Sequence, residues 1–263
     1  MNWLEAIVLG LIQGFTEFLP VSSSSHLELG KYLFGIDPEA NFYFSIAVHG
    51  ATVLSTILVL WKDITDLAKG FFRFKWNEET AYIVKIFISM IPTAIAGFFL
   101  AEITETYFTG NMISLGIHFI ITAILLLMTF IIRPKERAIG FFDSFIIGIA
   151  QAIAILPAIS RSGATIATGM MLGNKKTDIA RFSFLMVLVP IIGANILELK
   201  RGEFSAEGTS VIVILAGFIA AFISGYLACK WMINLVKKGS LGWFAIYCIV
   251  IGIITILIGT HVI

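Results

Sequence analysis

The sequence predicts an all-α polytopic membrane protein with six transmembrane helices plus two re-entrant helix pairs, arranged as an inverted repeat. Three observations predict it. Hydrophobic residues make up 58% of the chain and charged residues 13%, about half the charged share of a soluble domain, so lipid rather than water must face most of the surface. Apolar runs long enough to cross a bilayer, about 20 residues, cover residues 42–61, 82–101, 112–132, 182–199, 211–231 and 241–262. Two further stretches are apolar but short, and each breaks at a polar turn. Their halves cannot span, so each pair enters and leaves on one side. Non-helical backbone at membrane depth persists only where protein or a water-filled cavity satisfies it, so the turns mark an internal polar site.

The first short stretch runs over 6–16 and breaks at Glu17, Pro20 and the serines Ser22 to Ser25, with a second piece ending near Phe34. The other runs over 144–156, breaks at Pro157, Ser160, Arg161, Ser162 and Gly163, and continues to Leu172. The stretches resemble each other. Gly10-Leu-Ile-Gln13 matches Gly148-Ile-Ala-Gln151, and Leu19-Pro-Val-Ser-Ser23 matches Leu156-Pro-Ala-Ile-Ser160 after a one-residue gap. Three spans follow each. We therefore read 1–263 as a single membrane domain of two repeats, 1–132 and 141–263. An odd number of crossings inverts the second.

Loop charge is consistent with this. With the loop after the first span inside, the cytoplasmic side holds Lys62, Lys69, Arg73, Lys75, Arg133, Lys135, Arg137, Lys175, Lys176, Arg181, Lys230, Lys237 and Lys238, against Lys31, Lys200 and Arg201 outside. That is a strong positive-inside bias. It puts both termini outside and brings the two re-entrant tips together near the midplane, as in inverted-repeat folds with broken helices. The N-terminus carries Glu5 and no basic n-region, unlike a signal peptide. The net charge of +1 gives no footprint for nucleic acid. Cys229 and Cys248 sit in apolar runs and read as buried apolar residues. His49 and His118 lie within spans and read as structural, Lys85 as a snorkelling residue, and Gln151 as an inter-helix hydrogen bond.

The residues that could carry chemistry cluster at the turns. Gln13 and Glu17, four apart, share a helix face. Ser22, Ser23 and His26 share another if the second half-helix begins at Ser22. Arg161, Ser162 and Thr165 take the matching place in the other half. Two helix N-termini pointing inward offer free N–H groups and positive dipole ends to an anion. Arg161 adds a planar fork suited to phosphate, and Ser160 and Ser162 add hydroxyls. A carboxylate beside a phosphate clamp implies a metal ion or proton transfer, and His26 can serve as acid, base or nucleophile. A secondary transporter or lipid-phosphate flippase built on the same midplane anion site is the alternative reading. It would need reversible binding and no general base.

The stretch Gln13-Gly-Phe-Thr-Glu17-Phe-Leu-Pro20-Val-Ser22-Ser23-Ser-Ser-His26 resembles the first motif of the undecaprenyl-diphosphatase family. Leu156-Pro-Ala158-Ile-Ser160-Arg161-Ser162-Gly-Ala-Thr165 resembles its second, departing at Ala158 where glycine is commoner. The likeness extends over essentially the whole chain. It implies hydrolysis of undecaprenyl diphosphate, a polyprenyl diphosphate lipid, to the monophosphate in the bacterial cytoplasmic membrane. That step recycles the carrier of peptidoglycan synthesis and confers bacitracin resistance. It places the family's functional residues on Gln13, Glu17, Ser22, Ser23, His26, Ser160, Arg161, Ser162 and Thr165. It also implies a divalent cation, Mg2+ or Ca2+, for which Glu17 and Gln13 are the expected ligands. Glu17, Ser23, His26 and Arg161 are the expected catalytic residues, with Ser23, water or His26 open as nucleophile. Gln13, Ser22, Ser160, Arg161, Ser162 and Thr165 are the expected substrate contacts.

Overall fold

The computed structural model describes residues 1–36, 42–108, 111–131, 136–156, 159–201, 210–238 and 241–260. Among them are eleven helices: α1 (Trp3–Phe18), α2 (Ser23–Leu33), α3 (Phe42–Val59), α4 (Trp61–Phe71), α5 (Glu78–Phe108), α6 (Met112–Ile131), α7 (Phe141–Ile153), α8 (Arg161–Met171), α9 (Lys176–Arg201), α10 (Val211–Lys238) and α11 (Gly242–Gly259). An isolated bridge between Arg137 and Asn174 is the extended pairing recorded. Four helices, α5, α6, α10 and α11, contain stretches long and apolar enough to cross a bilayer, or five if α3 and α4 are one bent span. The chain is an all-helical, multi-pass membrane protein. The stretch expected at 182–199 lies inside α9.

Both short stretches break where expected, for local reasons. Asn2 starts α1 by accepting hydrogen bonds from the backbone of Leu4 and Glu5, while Glu5 accepts one from the Asn2 N–H, a reciprocal cap. Pro20 ends it by holding Leu19 extended at φ −72°, ψ 144°, as a residue before proline prefers. In the second pair Asp143 accepts from the Gly140 N–H at 2.9 Å to start α7. Ser160 caps α8, its hydroxyl accepting from the Gly163 N–H at 3.0 Å. Gly173, at φ +87°, closes α8 in a left-handed turn. With 16, 11, 13 and 11 residues, these helices reach at most about 24 Å at the α-helical rise, short of a hydrocarbon core of about 30 Å.

α3 runs along the stretch expected as a span, 42–61, as far as Val59, and what is corrected is the loop expected beyond it. There the chain turns 71° into α4. Ile64 and Leu67, one turn apart, pack α4 onto the main core. That face was too short to register between charged neighbours. α5 begins at Glu78 and α10 runs on to Lys238, both beyond the apolar segments that announced them. Pro157, Ala158, Arg133, Lys135 and the predicted span ends at Ile132 and Val262 lie outside the described residues.

Small residues set the packing, as in membrane helices where backbones approach closely. α1 lies along α10, and α7 along α5. A Cβ on Gly10 would strike the Gly217 carbonyl, and one on Gly148 the backbone of Ser89. Gln151, the counterpart of Gln13, donates to Thr93 on α5 at 3.1 Å. At Gly14 an added Cβ would meet Ser224, the Ala221 carbonyl at 2.5 Å and the Gly225 nitrogen at 2.7 Å. Backbone atoms cannot yield as a flexible side chain can. Gly14→Val should therefore destabilise the detergent-solubilised protein by about 1–3 kcal/mol, the usual cost of overpacking, read as a lower Tm. An unchanged Tm would show that α1 and α10 are not held at this distance.

Candidate active site

The two breaks meet. Ser162 on α8 donates to the Leu19 carbonyl at 3.2 Å, and a Cβ on Gly163 would sit 3.3 Å from Pro20. Between them lies a cavity lined by Glu17, Ser22, Ser23, Ser24, Ser160, Arg161 and Ser162. The first turns of α2 and α8 both face it. Its remaining wall is Phe18 and Ile159 beside the breaks, Thr52, Val53 and Thr56 of α3, and Phe184, Val187, Leu188 and Ile191 of α9.

Glu17 is the hub. One carboxylate oxygen accepts from Ser23 Oγ at 2.5 Å and from Gln13 Nε2 at 2.9 Å. The other takes the Arg161 guanidinium at 3.4 Å, an ion pair joining the two breaks. The Glu17 side chain is 8% exposed and that of Arg161 30%, so the carboxylate is enclosed while the cation reaches the cavity. The expected face of Gln13 and Glu17 is thus realised as a direct hydrogen bond. A serine hydroxyl donating to an enclosed carboxylate has the arrangement that a nucleophile and its base require.

The other predicted residues are placed differently. α2 begins at Ser23, not Ser22. Ser22 takes φ +67°, and its hydroxyl pairs with that of Ser25 at 2.7 Å. His26 turns away from the cavity wall. Its Nδ1 lies 2.7 Å from the Ser22 carbonyl and its Nε2 2.7 Å from the Tyr247 hydroxyl. Ser160 and Ser162 hydroxyls are 3.3 Å apart. The Ser160 N–H donates to Thr122 of α6 at 3.2 Å. Thr165 stands behind Arg161, donating to its carbonyl at 2.8 Å and pairing with Ser183 at 2.5 Å. It steadies the turn that carries the cation. The sequence reading missed Thr52, Thr56, Thr122, Ser183 and Tyr247. Each reaches the site or its supports from a distant span, and no local pattern announces it.

Gln13 is fully buried and its Oε1 has no hydrogen-bond partner. The same holds for Oε1 of Gln151, its counterpart on α7, so what speaks for a cation is the donor chemistry around Glu17 rather than the orphaned oxygen. Among the described residues no three His, Cys, Asp or Glu side chains converge on a metal position. One carboxylate, one amide oxygen and a hydroxyl are instead the sparse oxygen set that suits a cation shared with substrate phosphate. The residues fit that kind of site.

Fold and site together define a multi-pass membrane protein with a serine–carboxylate pair and an arginine enclosed where two broken helices meet. Comparison with known proteins narrows the class. The family model described as "Bacitracin resistance protein BacA" matches residues 6–254, and the chain belongs to that family. Relatives named undecaprenyl-diphosphatase include one from Bacteroides fragilis, 50% identical over 262 residues and 98% of each chain. One from Parabacteroides distasonis is 49% identical over 97% of this chain and 98% of its own. One from Methanosphaera stadtmanae is 37% identical over 98% of each.

Proposed function

We propose that this chain hydrolyses undecaprenyl diphosphate to undecaprenyl phosphate and inorganic phosphate, the activity named for its relatives, and so recycles the carrier lipid of peptidoglycan synthesis in the bacterial cytoplasmic membrane. The observation that carries the reading is the Ser23 hydroxyl on the Glu17 carboxylate, 3.4 Å from Arg161 across the break. Ser23 Oγ attacks the terminal phosphorus while Glu17 takes its proton. The bond to the bridging oxygen breaks, and undecaprenyl phosphate leaves. Glu17 passes that proton to the departing undecaprenyl phosphate. Water then attacks the phosphoserine as Glu17 takes its proton, and Glu17 returns the proton to Ser23 Oγ as phosphate is released. Arg161 and the N–H groups opening α2 and α8 hold the charged oxygens. The apolar wall of α9 beside this polar floor suits a lipid diphosphate, and an anion transporter has no use for a serine set against a base. Glu17 and Gln13 would hold a divalent cation, Mg2+ or Ca2+, whose chemistry is to screen phosphate charge.

The test is phosphate release from undecaprenyl diphosphate by the purified protein in detergent. Wild type should turn over and a chelator should stop it. Arg161→Lys keeps the charge but loses the fork, and should turn over about tenfold slower or worse, one charge-assisted bond at about 1.4 kcal/mol per decade. An inactive wild type sinks the assignment. Chelator-insensitive turnover sinks the cation.

The inverted repeat belongs to the same proposal. Its support is reciprocal packing: α1 of the first pair lies on α10 of the second half, and α7 of the second pair on α5 of the first. With both termini outside, cysteines placed at Phe74, which is 85% exposed, and at Ser210 should react with an impermeant maleimide from opposite sides of the membrane. The native cysteines are buried and give little background. Labelling from one side would overturn the inversion.

A further inference from the structure

Behind the serine stands a clamp that reaches it from the far end of the chain. The Tyr247 ring of α11 stacks on His26, with centroids 5.6 Å apart and planes 9° from parallel. Phe119 of α6 meets the same imidazole edge-on at 5.0 Å and 86°. The ring is thus held from two spans. Its hydrogen bonds are fixed by chemistry. The Ser22 carbonyl can only accept, so Nδ1 carries the proton. In the neutral ring Nε2 is then the acceptor, and the Tyr247 hydroxyl donates to it.

What the clamp holds is unusual backbone. Ser22, at φ +67° and ψ 97°, is one of three described non-glycine residues with positive φ. It is 3% exposed, whereas Phe74, another of the three, is 85% exposed. Such a conformation persists in a non-glycine residue only when its surroundings enforce it. The break itself does not require it. Ser160, which caps α8 as Ser22 precedes α2, sits at φ −66°. The Ser22 carbonyl takes two donors, the His26 Nδ1–H and, at 3.3 Å, the His26 backbone N–H. The same peptide unit continues into Ser23. If Ser22 relaxed to negative φ, Ser23 Oγ would swing off Glu17.

We propose that Tyr247 is a positioning residue for the reaction: acting through His26, it holds the Ser22 peptide in its left-handed conformation and so keeps Ser23 against Glu17. This rests on the reading of Ser23 as the nucleophile of a diphosphate hydrolase. It gives His26 a role that needs no contact with substrate.

Tyr247→Phe keeps the stack and loses only the hydroxyl. Steady-state phosphate release from undecaprenyl diphosphate should show kcat lowered about tenfold with KM unchanged, since a small displacement of a reacting atom is costly. The double variant Tyr247→Phe/His26→Gln should be no slower than His26→Gln alone, the sign that Tyr247 works through His26. A second readout needs no lipid: the rate at which a fluorophosphonate labels Ser23, followed by intact mass, should fall with kcat in Tyr247→Phe. Wild type that labels at Ser23 yet releases no phosphate would refute the phosphatase reading while leaving the labelling comparison to decide the clamp. Unchanged kcat and labelling in Tyr247→Phe, or losses that multiply in the double variant, overturn the proposal.

Discussion

Ser23→Ala is expected to lower phosphate release on the order of a thousandfold or more, the scale on which losing a covalent nucleophile is felt. The argument is geometric. Ser23 is the hydroxyl that lines the cavity and donates to Glu17, at 2.5 Å. Both nitrogens of His26 are engaged elsewhere, on the Ser22 carbonyl and the Tyr247 hydroxyl. Alanine leaves the Glu17–Arg161 pair intact, so the protein should still fold and still bind the lipid diphosphate with little change in KM. Acid quench of wild type during turnover should trap phosphate on Ser23, located by mass spectrometry, and Ser23→Ala should trap none. Near-normal turnover of Ser23→Ala with phosphate on His26 would establish a histidine mechanism. Near-normal turnover with no phosphoenzyme would leave water as the attacking group.

What the sequence made legible was what depends on neighbours along the chain. Pro20 beside a serine run predicts a break, and the break is there. Gln13 and Glu17, one helical turn apart, predict a shared face, and they touch. Two short pairs entering from opposite sides are expected to meet at their tips, and Arg161 reaches Glu17 between the two breaks. What stayed hidden depends on which way an apolar helix faces. A span that is hydrophobic all round has no preferred side in its pattern, so nothing marked Phe184, Val187, Leu188 and Ile191 as one wall of the cavity. Tyr247, 221 residues from His26, was equally silent. The expectation that Ser22, Ser23 and His26 form one face assumed a helix starting at Ser22. The positive φ there makes Ser22 the turn instead, sending the serine and the histidine to different tasks. The bend at Leu60 was missed because an 11-residue helix rich in charge reads as a loop. Composition and local chemistry reveal where a membrane chain breaks; side-chain direction emerges only from packing.

Glu17 allows a separation of roles that the serine does not. Its carboxylate serves as hydrogen-bond acceptor for Ser23, as ion-pair partner for Arg161 and as the anchor of Gln13. Glu17→Gln preserves the volume and can still accept from Ser23 through its amide oxygen, yet it can neither take the proton nor neutralise the arginine. The expected loss is in kcat, about 10²- to 10⁴-fold, the range a general base supplies. Glu17→Ala should be at least as inactive and also less stable. It removes the acceptor of Ser23, Gln13 and Arg161 together, where glutamine still offers its amide oxygen, and a partly enclosed guanidinium with no acceptor is costly. Steady-state kinetics of both variants, with Tm measured in the same detergent, tests this. If Glu17→Gln lost stability as heavily as Glu17→Ala while keeping kcat near wild type, Glu17 would be a structural tie between the two breaks, and the proton would have to go elsewhere.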